Sequence, residues 1–225
     1  MPTDPDDDSA RQGFASPACY QHEFSAESAT HPLPPEGVAQ WRKTTRSRLI
    51  AERQAAPAER RATHTALIVQ QLESLFAPAG GAIVGAYWPI RAEPDFRPWM
   101  RELTERGVRV ALPVIVSKDA PLLFREWRPD GRLKHGVWGI PEPADGETLM
   151  PTLLLAPLVG FDDGCYRLGY GGGYFDRTLA ALAPRPLCIG VGSAAGHLAT
   201  IYPQAFDQPM DWIVTEQQPA KQRPR

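Results

Sequence analysis

Cysteine is scarce: the 225 residues hold three, Cys19, Cys165 and Cys188. Their odd number and wide spacing exclude a disulfide framework and a zinc-type ligand pattern, and fit a reducing compartment. Long apolar runs are also missing, because Pro, Gly or a charged residue interrupts every hydrophobic stretch before the ~20 residues of a membrane helix. The opening MPTDPDDDSARQ has neither a basic segment nor an apolar one, so no secretory signal is expected and the protein is placed in the cytoplasm. A strong charge of either sign is lacking, with 24 Lys+Arg against 26 Asp+Glu. Seven of those acids and only Arg11 fall within residues 1–36, which leaves 23 bases against 19 acids in the remainder. So mild an excess suits a small polyanion and does not indicate a nucleic-acid binder. We expect neither nucleic-acid nor membrane partners, and a monomer.

Residues 1–36 contain six prolines and, of Val, Ile, Leu and Met, only Met1 and Leu33. Such a stretch cannot bury enough apolar surface to offset its ordering entropy. Residues 1–37 therefore read as a disordered acidic tail, or as a peptide that docks on a partner through Phe14, Tyr20 and Phe24. Residues 216–225 read as a polar C-terminal tail, leaving one domain over 38–215. The overall 43% hydrophobic content is enough for a real core.

Within that domain helices and strands alternate. Residues 38–54 suggest a basic helix with few core anchors (Val38, Trp41, Leu49). Residues 58–76 suggest a second helix carrying Ala62, Ala66, Val69, Leu72 and Phe76 at spacings of three and four. AIVGAYW (82–88) reads as a buried strand. Pro94 can open a helix with Phe96, Trp99, Met100 and Leu103 on one face, stopped at Gly107. Further strands are expected at 108–116, 121–127, 152–161, 187–192 and 212–215, a helix at 174–183, and a Pro/Gly-rich connection through HGVWGIPEP. This alternation calls for an α/β fold around a mostly parallel sheet, whose ligands bind beyond the carboxyl ends of the strands.

The densest chemistry lies in GFDDGCYRLGYGGGYFDRTL (160–179). Gly169, Gly171, Gly172 and Gly173 stand between a strand and a helix, where backbone N–H groups and the helix N-terminus can approach an anion. Arg167 adds a charged fork for phosphate oxygens, and Asp176 in the first helical turn adds a carboxylate suited to Mg²⁺. No Gly-Lys-Ser/Thr follows, and Tyr174 stands where a dinucleotide fingerprint needs its last glycine, so neither nucleotide motif applies. On spacing alone a tight turn, with Asp176 serving only the helix dipole, explains the loop equally well.

The whole string PLVGFDDGCYRLGYGGGYFDR resembles the signature of the 5-formyltetrahydrofolate cyclo-ligase family, or methenyltetrahydrofolate synthetases. WRKTTRSRLIAERQAAPAER, YWPIRAEPD, GVWGIPEP and FDQPMDWIVTE are similar to other segments of that family. The resemblance implies a single-domain, Rossmann-like three-layer α/β/α sandwich. It also implies ATP- and Mg²⁺-dependent conversion of 5-formyltetrahydrofolate to 5,10-methenyltetrahydrofolate. Carried over by position, Arg42, Arg46, Arg167, Leu168, Gly169, Tyr170, Gly171, Gly172, Gly173, Tyr174 and Phe175 would bind ATP. Glu93, Arg46 and Trp88 would bind folate, Arg167 and Asp176 would be catalytic, and Asp176 and Asp207 would bind metal. Asp211 matches a second acid of the closing segment. Arg53 keeps the spacing of a further nucleotide contact. Arg42 replaces a family lysine, with Lys43 one residue out of phase; Phe96 stands at a common Thr and His197 at a common Gln. The plainer readings are a solvated basic helix face for Arg42, Arg46 and Arg53, and a solvated loop acid for Glu93. Two other functions fit the string: a non-catalytic folate- or nucleotide-binding paralogue, and a phosphotransferase acting on another small molecule.

Overall fold

A computed structural model describes residues 34–217 and 219–224; most of the acidic tail read for 1–37 lies outside them. Helix α1 (Pro35–Ala55) begins at a proline, which tolerates the first helical turn. Residues 35–37, assigned to the tail by composition, therefore belong to the domain. Helix α2 (Ala58–Phe76) buries Ile68 and Leu72. Strand β1 (Ile83–Gly85) and helix α3 (Arg97–Glu105) follow. Helix α3 starts later than Pro94 would place it, with Phe96 as its N-cap; just before it, the Asp95 carboxylate accepts the Arg97 backbone N–H at 3.1 Å. Gly107 ends that turn at φ +79°, a left-handed conformation that glycine adopts without penalty.

Next come β2 (Arg109–Val114), β3 (Leu123–Trp127), β4 (Leu133–His135), β5 (Pro141–Pro143), β6 (Thr148–Leu149) and β7 (Leu153–Pro157). The chain continues through β8 (Gly160–Phe161), β9 (Arg167–Leu168), α4 (Tyr174–Ala181), β10 (Leu187–Val191), β11 (Trp212–Val214) and β12 (Lys221–Gln222). The eight-stranded sheet has the order β12-β11-β10-β7-β1-β2-β3-β6. From β11 to β2 every pairing is parallel, while β2–β3, β3–β6 and β11–β12 are antiparallel. The short link from β2 to β3 cannot hold a crossover, so that pair closes as an antiparallel edge.

Alternation along the strands divides the core. Leu153, Leu155, Ile189 and Val191 pack with Ile68 and Leu72 of α2 and with Trp99, Met100 and Leu103 of α3. Leu154, Ala156, Cys188 and Ile213 face the other way, onto Leu179 of α4. These are the three layers of an α/β/α sandwich. Helix α1 adds a smaller cluster, Leu49 and Ile50 against Val159. No helix among the described residues is long and apolar enough to cross a membrane.

Three sequence expectations change. The run 152–161 is not one strand: β7 stops at Pro157, and residues 160–161 turn out to pair with β9 in a separate ribbon. The connection through HGVWGIPEP holds a second ribbon, β4–β5, around a 3₁₀ turn at Val137–Gly139. The C-terminal segment is not simply a tail, since β12 pairs with β11 and Arg223 N–H donates to Asp211 O at 2.9 Å. Ala220 packs on the core as well. A chain ending at Gln217 should therefore lose about 1–2 kcal/mol of stability and melt several degrees lower, as thermal unfolding can measure.

Candidate active site

Residues that end or follow β1, β2 and β7 line a cleft of about 630 Å³. That volume suits a small-molecule site at the carboxyl edge of a parallel sheet. Arg42, Arg46, Trp88, Glu93, Asp207 and the whole run Arg167–Asp176, all named from the sequence, line it.

The glycine loop forms one wall. Gly171 and Gly173 have φ of +93° and +66°, where a side chain would be strained, and Gly173 caps the N-terminus of α4. Under the loop, Arg167 is only 5% exposed and donates from Nη2 to Asp176 Oδ2 at 3.0 Å. Its guanidinium lies over the Phe175 ring at 5.1 Å, and its buried Nε has no partner among the described residues. Burial pulls the Arg167 pKa below its ordinary value, opposed by Asp176. Asp176 Oδ1 also accepts the Gln208 N–H at 3.2 Å.

The opposite wall follows β1. Arg91 and Ala92 both adopt positive φ, +47° and +60°, a tight turn that presents Glu93. Glu93 N–H donates to Ile90 O at 3.0 Å, while Ile90 N–H donates back to Glu93 Oε2 at 2.8 Å. Oε1 accepts the Tyr170 hydroxyl at 2.7 Å. The side chain is not a solvated loop acid: Glu93 is 6% exposed, and burial pushes its carboxyl pKa upward against those two hydrogen bonds. Trp88 stands nearby under Arg97, whose guanidinium is 5.1 Å from the indole ring.

Helix α1 closes a third side with arginines that share one face but not one role. Arg46 donates from Nε to Gly169 O at 2.6 Å, while its terminal nitrogens make no hydrogen bond among the described residues. Arg42 is fully engaged: Nε binds Ile201 O at 3.0 Å, Nη2 binds Tyr202 O at 2.9 Å, and the fork grips Asp207 at 2.5 and 3.3 Å. Asp207 Oδ2 also accepts Gln204 N–H at 2.6 Å. Arg42 and Gln204 thus make three hydrogen bonds to its two oxygens, against two such bonds on Asp176, which argues against the metal role expected for it. Arg53 does not line this cleft; it binds Arg91 O, Leu158 O and the Tyr170 hydroxyl.

Three other positions singled out in the sequence lie outside this cleft. Asp211 accepts Cys188 N–H at 2.8 Å and sits by Arg185, and His197 pairs with Asp163 at 3.0 Å. Phe96 is a core residue against Tyr87 and Trp99. The sequence reading missed Glu142, buried on the cleft with Lys134 at 3.3 Å, and Trp138, 71% exposed on the rim and edge-on to Tyr174. Both lie in the β4–β5 ribbon, and a strand pairing of residues 133–135 with 141–143 was the signal that composition hid.

The Arg42–Asp207 geometry makes a testable distinction. Asp207→Asn should cost about 1–3 kcal/mol in thermal or urea unfolding, because it leaves a nearly buried guanidinium without its counter-charge. The dependence of any activity on Mg²⁺ concentration should stay as in the parent, a result that a metal ligand would not give.

Comparison with known proteins bears on this cleft. Residues 38–216 match the 5-formyltetrahydrofolate cyclo-ligase family. A 5-formyltetrahydrofolate cyclo-ligase of Escherichia coli is 37% identical over 102 residues, 43% of this chain and 56% of that protein. The chain thus aligns with little more than half of that relative's length. A cyclo-ligase of Mycolicibacterium smegmatis is 33% identical over 144 residues, covering 60% of this chain and 74% of its own. The solved 5,10-methenyltetrahydrofolate synthetase of Aquifex aeolicus superposes with a TM-score of 0.70 at 27% identity, over 80% of this chain and 92% of that one. The synthetase of Mycoplasma pneumoniae gives 0.65 at 23% identity over 78% and 99%, a likeness of fold. With residues 38–216 matched to that family and the glycine loop built into a cleft, the chain belongs to the 5-formyltetrahydrofolate cyclo-ligase family.

Proposed function

We propose that the protein converts 5-formyltetrahydrofolate to 5,10-methenyltetrahydrofolate with ATP as co-substrate, releasing ADP and phosphate. One observation carries this reading: the glycine loop with its buried arginine and the buried carboxylate Glu93 face each other across a single cleft. A phosphate cradle and a pterin-type acceptor are the two halves such a reaction needs.

The N5-formyl oxygen is amide-like and leaves poorly. Transfer of the γ-phosphoryl group to it makes a leaving group, N10 then attacks the formyl carbon, and phosphate departs with that oxygen as N10 loses its proton. Such a transfer calls for positioning and charge neutralisation rather than for a nucleophilic side chain. The backbone N–H groups of Gly169–Gly173 and the N-terminus of α4 receive phosphate oxygens, with Arg46 offering its two free nitrogens beside Gly171. Arg167 holds a preorganised positive charge beneath them. Each Glu93 oxygen already accepts one hydrogen bond and keeps a second lone pair, enough for a pterin 2-amino group and N3–H together.

For Mg²⁺ the residues fit a sparse site. Among the described residues no three His, Cys, Asp or Glu side chains gather to hold a metal. Mg²⁺ is commonly held through one or two carboxylates, with phosphate oxygens and water completing its shell. Asp176 is the carboxylate we assign to it, and Asp207 is left to Arg42. When bound, the ion neutralises charge on the transferring phosphoryl group.

The reaction is tested by mixing the protein with 5-formyltetrahydrofolate, ATP and Mg²⁺ and following methenyl product and ADP, which should form one to one. Binding of both ligands without turnover would instead make the protein a regulatory binder, and ADP without methenyl product a different phosphotransferase. Asp176→Asn should lower turnover by roughly 10²-fold or more and weaken its dependence on Mg²⁺. It should also cost about 1–3 kcal/mol in unfolding, because buried Arg167 loses its counter-charge. Glu93→Gln places a donor against a donor edge and should raise the folate KM by about one to two decades, leaving nucleotide affinity as in the parent.

A further inference from the structure

Tyr170 belongs to the glycine loop by its backbone, yet its side chain crosses to the opposite wall. Its hydroxyl lies 2.7 Å from Glu93 Oε1 and 2.5 Å from Arg53 Nη2, while Arg91 stands 5.4 Å from the ring centre. The direction of these bonds is fixed by chemistry. A guanidinium can only donate, so the hydroxyl oxygen accepts from Arg53 and must send its own hydrogen to Glu93. The other carboxylate oxygen receives the Ile90 N–H. Both hydrogens are donated to the carboxyl group, and such bonds are stronger to the charge than to the neutral acid, so the arrangement favours the ionised carboxylate.

We infer that Tyr170 is a positioning residue for substrate recognition: relayed from Arg53, its hydroxyl holds Glu93 ionised and aimed at the pterin. The inference rests on the folate-binding role proposed for Glu93 and adds to it a residue that sequence position alone assigns to ATP. The groups facing Glu93 are Tyr170 from the glycine loop, Arg53 from α1 acting through it, Arg91 of its own loop, and Tyr87, kept neutral by burial. Burial pushes the Glu93 carboxyl upward, and the Ile90 N–H, Tyr170, Arg53 and Arg91 each oppose that rise. The sign follows directly. Folate binding needs the carboxylate, so affinity is full above its pKa and is lost as pH falls through it. Removing the Tyr170 hydroxyl takes away a donor to the charged form, so the loss should begin at higher pH.

The test compares the parent, Tyr170→Phe, Glu93→Gln and the double variant. Each is titrated calorimetrically with 5-formyltetrahydrofolate from neutral to mildly acidic pH, and separately with a non-hydrolysable ATP analogue. Phenylalanine keeps the ring, and equal melting temperatures verify the fold. Tyr170→Phe should bind folate roughly tenfold more weakly, with its acid limb moved to higher pH and nucleotide affinity unaltered. In the Glu93→Gln background the limb should be gone, and Tyr170→Phe should add no pH dependence. Titration of the folate itself is common to all four proteins and cancels. If Tyr170→Phe keeps the parent's acid limb, or loses nucleotide and folate affinity together, Tyr170 is not the positioning residue. If the parent binds no folate, or Glu93→Gln binds it like the parent, the role of Glu93 falls first and the inference with it.

Discussion

Burying a guanidinium costs several kcal/mol unless charge and hydrogen bonds replace the lost water, and the Arg167 side chain is only 5% exposed. The local structure answers that cost piece by piece. Asp176 supplies the counter-charge from the first turn of α4, Phe175 supplies a ring face, and the β8–β9 ribbon holds the Arg167 backbone opposite Phe161. Gly169 has no side chain because one there would collide with the guanidinium. The answer is incomplete, since among the described residues Nε has no partner and the one carboxylate is shared with Gln208. A cleft floored by an under-compensated positive charge, with Arg46 open beside it, favours an anion without any further device.

The same economy of partners separates the arginines of α1. Arg42, Arg46 and Arg53 fall at intervals of four and seven, which a helix brings to one face. What each does is decided by chain more than 100 residues away. Arg42 meets Asp207 and two carbonyls and becomes a clamp for the 201–207 loop, Arg46 meets one carbonyl and stays available, and Arg53 meets a tyrosine hydroxyl. Spacing told which residues would be neighbours. It could not tell which would be neutralised, because charge compensation depends on contacts that no local pattern encodes.

Legibility of the fold divides along the same line. The strands that are buried on both faces, 153–157 and 187–191, announce themselves by continuous apolar runs. The ribbon β4–β5 is exposed along 133–135, and β6 and β12 are two residues each. Such elements gain their order from pairing with an edge rather than from side-chain burial, so alternation is too short to read. The split of 152–161 was hidden for another reason: Pro157 ends the pairing, yet the apolar character continues because Leu158 and Val159 remain buried in separate clusters. In the site, Glu93 could be placed after a strand but not judged buried. That depended on the left-handed turn at Arg91 and Ala92, a conformation these residue types rarely signal.

Sheet order explains why the glycine loop and Glu93 share one cleft. Strands β1 and β7 are direct parallel neighbours, with Val84 opposite Leu153 and Gly85 opposite Leu154. Neighbouring strands lie about 4.8 Å apart, and parallel ones deliver their following loops to the same edge. The loop after β1 presents Glu93, and the chain after β7 returns through the β8–β9 ribbon to present the glycines. Their separation is therefore set by the sheet and by the ribbon's length, not by either loop alone. A single tyrosine spans that gap to bond the carboxylate. Had β1 and β7 been separated by another strand, the same residues would have made two sites with no shared side chain. Adjacency in the sheet is thus what brings the glycine loop and the buried Glu93 carboxylate into one cleft.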